Sequence, residues 1–314
     1  MHVLVTGGAG FIGRHLVNNL IDDGAEVLVL DSGFTGQFLD LNKKAKLVKV
    51  DLDNCGIGEY REFLDGVEQV FHLAAQKHNT SGVTPEKMFA TNILSTYNLA
   101  LASALSNVKR FVFTSSLYAY GSLGPEVMKE CDVPKPSTLY GASKLMGENI
   151  LRFAERQYGL NWNVARLFFI YGPGQFAGSG YKSVIVKNFE RIRDGLPVII
   201  NGDGKQSLDY VYVQDAVEGI KLLANSKIQN KIFNISSSIS ISINDLFSEM
   251  EESSGRRISR FYENEDWTSG SRRYGDNSLI KSELGWSPKV SLNNGLSQTW
   301  NFINNPSLSR ETFN

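Results

Sequence analysis

The sequence predicts an α/β fold: a doubly wound parallel sheet followed by a smaller C-terminal α/β part. Three observations predict it. Short apolar runs alternate with helical patterns from residue 3 to residue 169. The first run ends in a glycine-rich turn, Thr6-Gly7-Gly8-Ala9-Gly10-Phe11-Ile12-Gly13, which opens a helix. The second run closes on an acid, Asp31.

Val3-Leu4-Val5 is the compact apolar run of a strand buried on both faces. Leu16, Val17, Leu20 and Ile21 recur at helical spacing between Arg14 and Asp22, and Gly24 stops that helix. Glu26 to Leu30 is the second strand. Lys46 to Val50 reads as a third, ending at Asp51, and Val67 to Leu73 as a fourth, followed by Ala74-Ala75. Lys87 to Leu105 reads as a helix. Arg110 to Thr114 is a fifth strand that runs into Ser115-Ser116. Tyr140 to Tyr158 is helical, with Gly141 and Gly147 as its weak points, and Trp162 to Phe169 is a sixth strand.

After Tyr171 the texture changes. Gly172-Pro173-Gly174-Gln175 is a turn cluster. Beyond it come a helix over Val184 to Gly195, a strand over Pro197 to Ile200 and the loop Asn201 to Gly204. A helix over Asp215 to Asn225 and a strand over Lys231 to Ile235 follow. From Arg256 no clear period returns until Leu279 to Leu284. The expected division is a dinucleotide-binding domain over residues 1–171, with a segment near 205–235 returning to it, and a mainly substrate-binding domain over 172–314.

Composition narrows the function classes. With 314 residues, 42% hydrophobic and 21% charged, the chain is globular in type rather than disordered. A net charge of -1 argues against a nucleic-acid binder, which needs a basic face. No apolar run approaches the roughly 20 residues of a membrane span. Met1-His2 leads straight into a strand, without the basic and apolar regions of a signal peptide. Two cysteines, Cys55 and Cys131, cannot build a disulfide framework or a zinc cluster. The expectation is a reducing cytoplasm and no metal.

The turn after the first strand has the form of a dinucleotide site. Gly7 permits a tight turn, Gly10 lets the backbone approach a pyrophosphate, and Gly13 allows close helix–strand packing. The helix N-terminus offers unpaired N–H groups and partial positive charge to phosphates. Asp31, 18 residues beyond Gly13, is placed to accept both hydroxyls of an adenosine ribose. The same carboxylate would repel a 2′-phosphate, and Ser32 to Gly36 contain no basic residue. NAD is therefore expected rather than NADP.

Tyr140 and Lys144 are four apart at the start of a helix and share a face. They stand downstream of a strand ending in Ser115-Ser116. An ordinary tyrosine, with a pKa of about 10, is a poor base at neutral pH. A nearby ammonium and a positive nicotinamide ring both favour the phenolate; lowering the pKa by about three units takes roughly 4 kcal/mol. Such a phenolate takes a proton from a sugar hydroxyl as hydride leaves the same carbon, with Ser116 bonded to the same oxygen. His72 reads as a satisfied core histidine, and His2 and His15 have no nucleophile beside them. Arg272-Arg273 is a pair able to hold a diphosphate, and Trp286 with Leu284 reads as packing.

Several ordered motifs together resemble the extended short-chain dehydrogenase/reductase superfamily. They are Thr6 to Gly13, Asp31, Phe71 to Ala75, Asn92, Ser115-Ser116 with Tyr120-Gly121, Tyr140-Gly141-x-Ser143-Lys144, and Tyr171 to Gln175. Within it the chain is similar to the NAD-dependent epimerase/dehydratase family, typified by UDP-glucose 4-epimerase, from residue 1 to Leu284-Gly285-Trp286-x-Pro288. The resemblance implies a Rossmann-type domain binding NAD and a C-terminal part binding a nucleotide sugar. It implies that Phe11 and Ile12 line the pyrophosphate turn and that Asp51 and Leu52 contact adenine. Ala74, Ala75 and Lys77 would pass along the cofactor, Asn92 would support it, and Phe168 would sit near the nicotinamide. Ser116 matches the family's Ser/Thr position, five residues before Gly121. By the same likeness, a homodimer would form through the helices near Lys87 to Leu105 and Tyr140 to Tyr158.

The chain also departs from the family pattern. Sugar-nucleotide 4,6-dehydratases carry Asp-Glu directly after the Ser/Thr; here Leu117 and Tyr118 stand there, so 4,6-dehydration is disfavoured. Decarboxylases of the family carry Glu at the position of Tyr118. Epimerases often carry Asn where this chain has Phe169 and Arg where it has Leu208, and both groups touch the substrate. Lys205, Arg272 and Arg273 are the candidates to compensate. The expected function is C4 epimerisation of an NDP-hexose through a transient 4-keto sugar. The alternatives are a reductase of an NDP-4-keto-6-deoxysugar, which consumes one NADH per turnover, and a non-catalytic NAD-binding regulator.

Overall fold

The computed structural model describes residues 1–34, 41–77, 84–121, 127–175, 182–266 and 268–305. The chain opens with β1 (His2–Thr6), α1 (Phe11–Asp22), β2 (Glu26–Asp31) and β3 (Lys46–Lys49). α2 (Ile57–Phe63) and β4 (Gln69–His72) come next. A helical stretch then joins α3 (Pro85–Phe89), a π-turn (Ala90–Leu94) and α4 (Ser95–Leu105). β5 (Arg110–Ser116), α5 (Leu139–Tyr158), β6 (Trp162–Leu167) and β7 (Phe169–Tyr171) complete the first half. The second half holds α6 (Val184–Arg193), β8 (Val198–Asn201), β9 (Ser207–Leu208), β10 (Tyr210–Tyr212), α7 (Val213–Asn225) and β11 (Lys231–Ile235). It ends with β12 (Ile241–Ser242), α8 (Ile243–Ser254), β13 (Arg260–Glu263), β14 (Arg272–Arg273), α9 (Ser278–Leu284) and α10 (Leu292–Asn304).

Seven strands form one parallel sheet in the order β11-β6-β5-β4-β1-β2-β3. The order reverses between β1 and β4, which opens a crevice at the carboxyl ends of those strands. β5 and β6 are buried along their whole length, as strands covered on both faces must be. Side chains alternate across the sheet. Val3 and Val5 pack with Leu16, Val29 and the C-terminal half, whereas Leu4 packs with Leu30, Phe111 and Leu151 on the other face. β11 and α7 return from the second half to this body: β11 pairs with β6 from Lys231–Asn163 to Ile235–Leu167.

The structure corrects several expected elements. The sixth strand does not run on to Phe169. It ends at Leu167, and Phe169–Tyr171 pairs instead with Tyr210–Tyr212 in a separate two-stranded sheet. The helix expected from Lys87 is broken in pitch by the π-turn over Ala90–Leu94, where Thr91 and Asn92 turn inward and are buried. Gly141 and Gly147 are not weak points of α5 but its contact points. A Cβ at Gly141 would meet the Tyr118 carbonyl oxygen at 2.2 Å, and one at Gly147 would meet the Phe113 ring at 2.5 Å. The two glycines let α5 lie directly on β5 and on the turn that follows it. Thr138 caps that helix, its Oγ1 accepting from the Gly141 amide (3.1 Å), and Gly159 ends it at φ +72°. The stretch after Arg256 carries β13 and β14, which pair with β8 and β9, and α10 packs on α8. Among the described residues no helix is long and apolar enough to cross a membrane.

Candidate active site

The crevice begins at the turn between β1 and α1. Gly7 has φ +70°, and a Cβ there would strike the Ala74 amide at 2.7 Å, so the turn lies against the segment after β4. A Cβ at Gly13 would sit 2.1 Å from the Gly7 carbonyl, which makes this glycine the packing contact between helix and turn. Gly10 differs. It is the N-cap of α1, no side chain caps the helix there, and a Cβ would approach only the Gly7 carbonyl, at 3.1 Å. The first amides of α1, at Phe11, Ile12 and Gly13, have no partner in the preceding turn of helix. An uncapped helix end behind a side-chain-free position fits a pyrophosphate.

Asp31 stands at the end of β2 and is buried. Its two oxygens accept from the amides of Ala9 (3.0 Å) and Gly33 (2.8 Å), and burial raises its pKa. A carboxylate has about four acceptor positions, so capacity remains for ribose hydroxyls. Next to it a pocket of about 380 Å³ is lined by Ser32, Phe34, Lys49, Val50, Asp51, Gln76 and Lys87. Asp51 reaches this pocket and pairs with Lys87 at 2.7 Å. The Leu52 side chain turns the other way, into the core. Asn92 grips the loop after β4. Its Oδ1 accepts from the Gln76 amide (2.7 Å), and its Nδ2 donates to the Gln76 carbonyl (2.9 Å) and to Ser143 Oγ (3.0 Å). It holds the loop carrying Ala74, Ala75 and Lys77 in line, with both of its amide hydrogens committed to protein acceptors.

Ser116, Tyr140 and Lys144 come together at the carboxyl end of β5. The Tyr140 side chain is hydrogen-bonded to Ser116. Lys144 Nζ donates to the Thr114 carbonyl (2.8 Å) and lies 5.9 Å from the centre of the Tyr140 ring. The three side chains by themselves do not acidify the phenol. Burial pushes the Tyr140 hydroxyl above the ordinary phenol range, and only the Ser116 hydrogen bond opposes it. Lys144 gives no offset because burial and the nearby Lys77 ammonium push its own pKa down to about 7.

His72 is a fully buried link. Its Nδ1 lies 2.6 Å from Thr6 Oγ1 and its Nε2 2.8 Å from Thr96 Oγ1, and burial lowers its pKa to about 3. It is a neutral core histidine, as the sequence indicates. His15 is likewise neutral, held at 2.9 Å from the Pro173 carbonyl with its pKa lowered to about 4.

At the far end of the site Phe168 is buried, with its ring against Gly275 and in a cluster with Leu117, Tyr120 and Met128. It backs Tyr118 and Phe169 rather than standing open in the crevice. Tyr118 meets Tyr140 edge-on at 6.0 Å. Arg273 is buried with its guanidinium 5.4 Å from the Phe169 ring, and it pairs in register with Leu208. Of the three basic candidates it alone is brought toward the aromatic end. Arg272 is exposed beside Tyr274, and Lys205 reaches into solvent and pairs with Asp203 at 3.1 Å. Sequence reasoning missed the groups that hold the site: Thr138, Thr114, Glu148 and Arg166. Their signal is local, a Thr before a helix and a Glu one turn after Lys144, and it acquires meaning only from the packing.

Comparison with known proteins agrees with this geometry. The family model for the NAD dependent epimerase/dehydratase family matches residues 3–236. A solved UDP-glucose 4-epimerase from Thermotoga maritima, in complex with UDP-glucose, is 35% identical. The match has a TM-score of 0.89 and covers 98% of this chain and 100% of that one. A UDP-N-acetylglucosamine 4-epimerase from Methanobrevibacter ruminantium is 30% identical at a TM-score of 0.90, covering 96% and 97%. The Thermus thermophilus UDP-glucose 4-epimerase in complex with NAD is 30% identical at a TM-score of 0.86, covering 96% and 99%. With its glycine turn, buried acid at the end of β2 and Ser-Tyr-Lys group, the chain belongs to the NAD-dependent epimerase/dehydratase family, as an enzyme of the extended short-chain dehydrogenase/reductase type whose cofactor is NAD.

Proposed function

We propose that this enzyme epimerises an NDP-hexose at C4, with Ser116, Tyr140 and Lys144 as its catalytic residues. One observation carries the reading. The Ser116–Tyr140–Lys144 group stands at the carboxyl end of β5, and the next positions of β5's exit turn are the buried Leu117 and the aromatic Tyr118. One acid–base group serves removal and return of a proton at a single carbon. Elimination across C5 and C6 needs a further acid–base pair, which neither Leu117 nor Tyr118 supplies.

Gly10, Phe11, Ile12, Gly13 and Asp31 would hold the pyrophosphate and ribose of NAD, with Asp51 and the Leu52 main chain at the adenine. Bound NAD supplies the acceptor and donor of hydride and a positive ring that favours the phenolate. Tyr140 removes the proton of the C4 hydroxyl as that carbon is oxidised, and returns it when the carbon is reduced on its other face. Ser116 donates to the same oxygen. Lys144 anchors the helix end through the Thr114 carbonyl and, when protonated, adds positive charge beside the phenol. Arg273 takes the substrate diphosphate in place of an arginine at Leu208, because the two positions are register partners on adjacent strands.

The reading includes a homodimer formed through α4 and α5, supported by the exposed Leu94, Leu105, Met146, Phe153 and Tyr158 on that face. Light scattering should give a mass of two chains. Two free cysteines, one of them exposed, support a reducing compartment. Incubation with UDP-, GDP- and dTDP-hexoses, followed by NMR of the anomeric protons and by NADH absorbance, tests the activity. Interconversion of a C4 epimer pair with no net change in NADH is expected. Consumption of one NADH per turnover, or inertness toward all these sugars, overturns the proposal.

A further inference from the structure

Glu148 lies one helical turn beyond Lys144 on α5 and is inaccessible to solvent. Its carboxylate accepts from Ser115 Oγ at 2.6 Å, from Arg166 Nε at 2.9 Å and from Arg166 Nη2 at 2.7 Å. A buried ion pair is a poor investment in stability alone, since well-packed apolar residues of similar volume often serve as well or better. The position of this pair suggests another use. Ser115 is the residue before Ser116 on β5, while Tyr140 and Lys144 occupy the two turns of α5 before Glu148. The three reacting side chains therefore come from two elements, and the Glu148 carboxylate joins those elements.

Arg166 extends the connection. Its guanidinium lies 4.5 Å from the centre of the Tyr120 ring, and the Tyr120 hydroxyl donates to Asn234 Oδ1 at 2.7 Å. Asn234 Nδ2 then donates to the carbonyl of Asp276 (3.1 Å), three residues beyond Arg273, and to that of Met128 (3.0 Å), which bridges to Gly275 in the same segment. We infer that the Glu148–Arg166 pair is the positioning device of this active site, fixing Ser116, Tyr140 and Lys144 against one another and tying them to the Arg273 segment. The inference rests on the epimerase reading above.

The groups that act on Lys144 are the Lys77 ammonium, the Glu148 carboxylate, the neutral His72 and the Tyr140 phenol, with the Thr114 carbonyl and the Phe113 ring in contact. Among the described residues Glu148 is the anion that raises the lysine's pKa against burial. Its removal should lower that pKa further.

The test uses the full-length, NAD-loaded enzyme. In Glu148→Gln, kcat should fall about 10–100-fold while KM and NAD affinity stay within about threefold, because misplacement acts on the reacting geometry. The titration of Lys144, read by NMR of 13Cε-labelled lysine and assigned with Lys144→Arg, should move down by about one pH unit. Ser115→Ala keeps the ion pair and should lower kcat about 3–10-fold. Glu148→Gln with Arg166→Met removes the cation stranded by the first change. It should regain folding stability without regaining kcat. A folded Glu148→Gln with kcat within about twofold of wild type, an unmoved Lys144 titration, or a double variant recovering both stability and rate overturns the inference. If Glu148→Gln does not fold, Ser115→Ala and the double variant decide. If the wild type converts no NDP-hexose, the epimerase reading fails, and the Lys144 titration still decides the positioning role.

Discussion

Replacing Lys144 by Met should make the folded chain more stable and the enzyme less active. The lysine side chain is 3% exposed, and burial with the Lys77 ammonium lowers its pKa from 10.5 to about 7. Between those values the unfolded chain binds more protons than the folded one. Stability therefore rises with pH through the window from about 7 to 10.5, and the full cost of the lysine remains below it. At 1.36 kcal/mol for each pH unit, the cost is about 4 kcal/mol at neutral pH. Loss of the 2.8 Å hydrogen bond to the Thr114 carbonyl offsets about 1 kcal/mol of the gain. Lys144→Met should thus be more stable than wild type by about 3 kcal/mol at pH 7, with the gap shrinking above it, by about 0.7 kcal/mol per pH unit at first and approaching about 1.4 kcal/mol per pH unit by about pH 8. Urea unfolding of dinucleotide-free protein from about pH 6 to about pH 9 measures this directly; bound NAD would add its own stabilisation. A variant no more stable than wild type at pH 7, or a gap that ignores pH, would refute the reasoning.

Two glycines of the turn should separate by phenotype. Gly13→Ala puts a methyl 2.1 Å from the Gly7 carbonyl and should destabilise the fold by about 1–3 kcal/mol in denaturant titration. Gly10→Ala meets little protein and should fold normally, yet bind NAD at least about tenfold more weakly by calorimetry, because its methyl occupies the space left for the pyrophosphate. Gly141→Ala drives a methyl to 2.2 Å from the Tyr118 carbonyl, lifting the start of α5 away from the turn after β5. It should cost about 1–3 kcal/mol of stability and reduce kcat more than KM.

The parts of this molecule that could be read from the chain are those set by short-range pattern. The βαβ unit, the acid at Asp31 and the Tyr140–Lys144 spacing follow from periodicity and from a turn in which Gly10 and Gly13 pack on the Gly7 carbonyl, a few residues away in sequence. β7 illustrates the opposite case. Nothing in Phe169-Ile170-Tyr171 says that it leaves the main sheet, because the reason is Tyr210–Tyr212, some 40 residues away. Gly141 and Gly147 show how a propensity argument inverts: what weakens an isolated helix becomes the surface on which it docks. β9, β12 and β14 are two residues each, too short for any period to register. The Tyr140 hydroxyl is expected to be acidified by its lysine together with the nicotinamide ring, and the lysine's share is small because Lys144 is buried too and donates to the Thr114 carbonyl. A charge inferred from sequence spacing ignores the desolvation of its bearer.

The account turns on the Tyr140 oxygen as the group that moves the sugar's proton. Tyr140→Phe removes that oxygen and leaves the ring edge-on to Tyr118. The direct measurement is kcat for C4 epimer interconversion in Tyr140→Phe, alongside its NAD content and its affinity for the nucleotide sugar. A fall of at least about a thousandfold in kcat, with both affinities within about threefold, is the predicted result. Interconversion by the variant within about threefold of the wild-type rate would contradict the account.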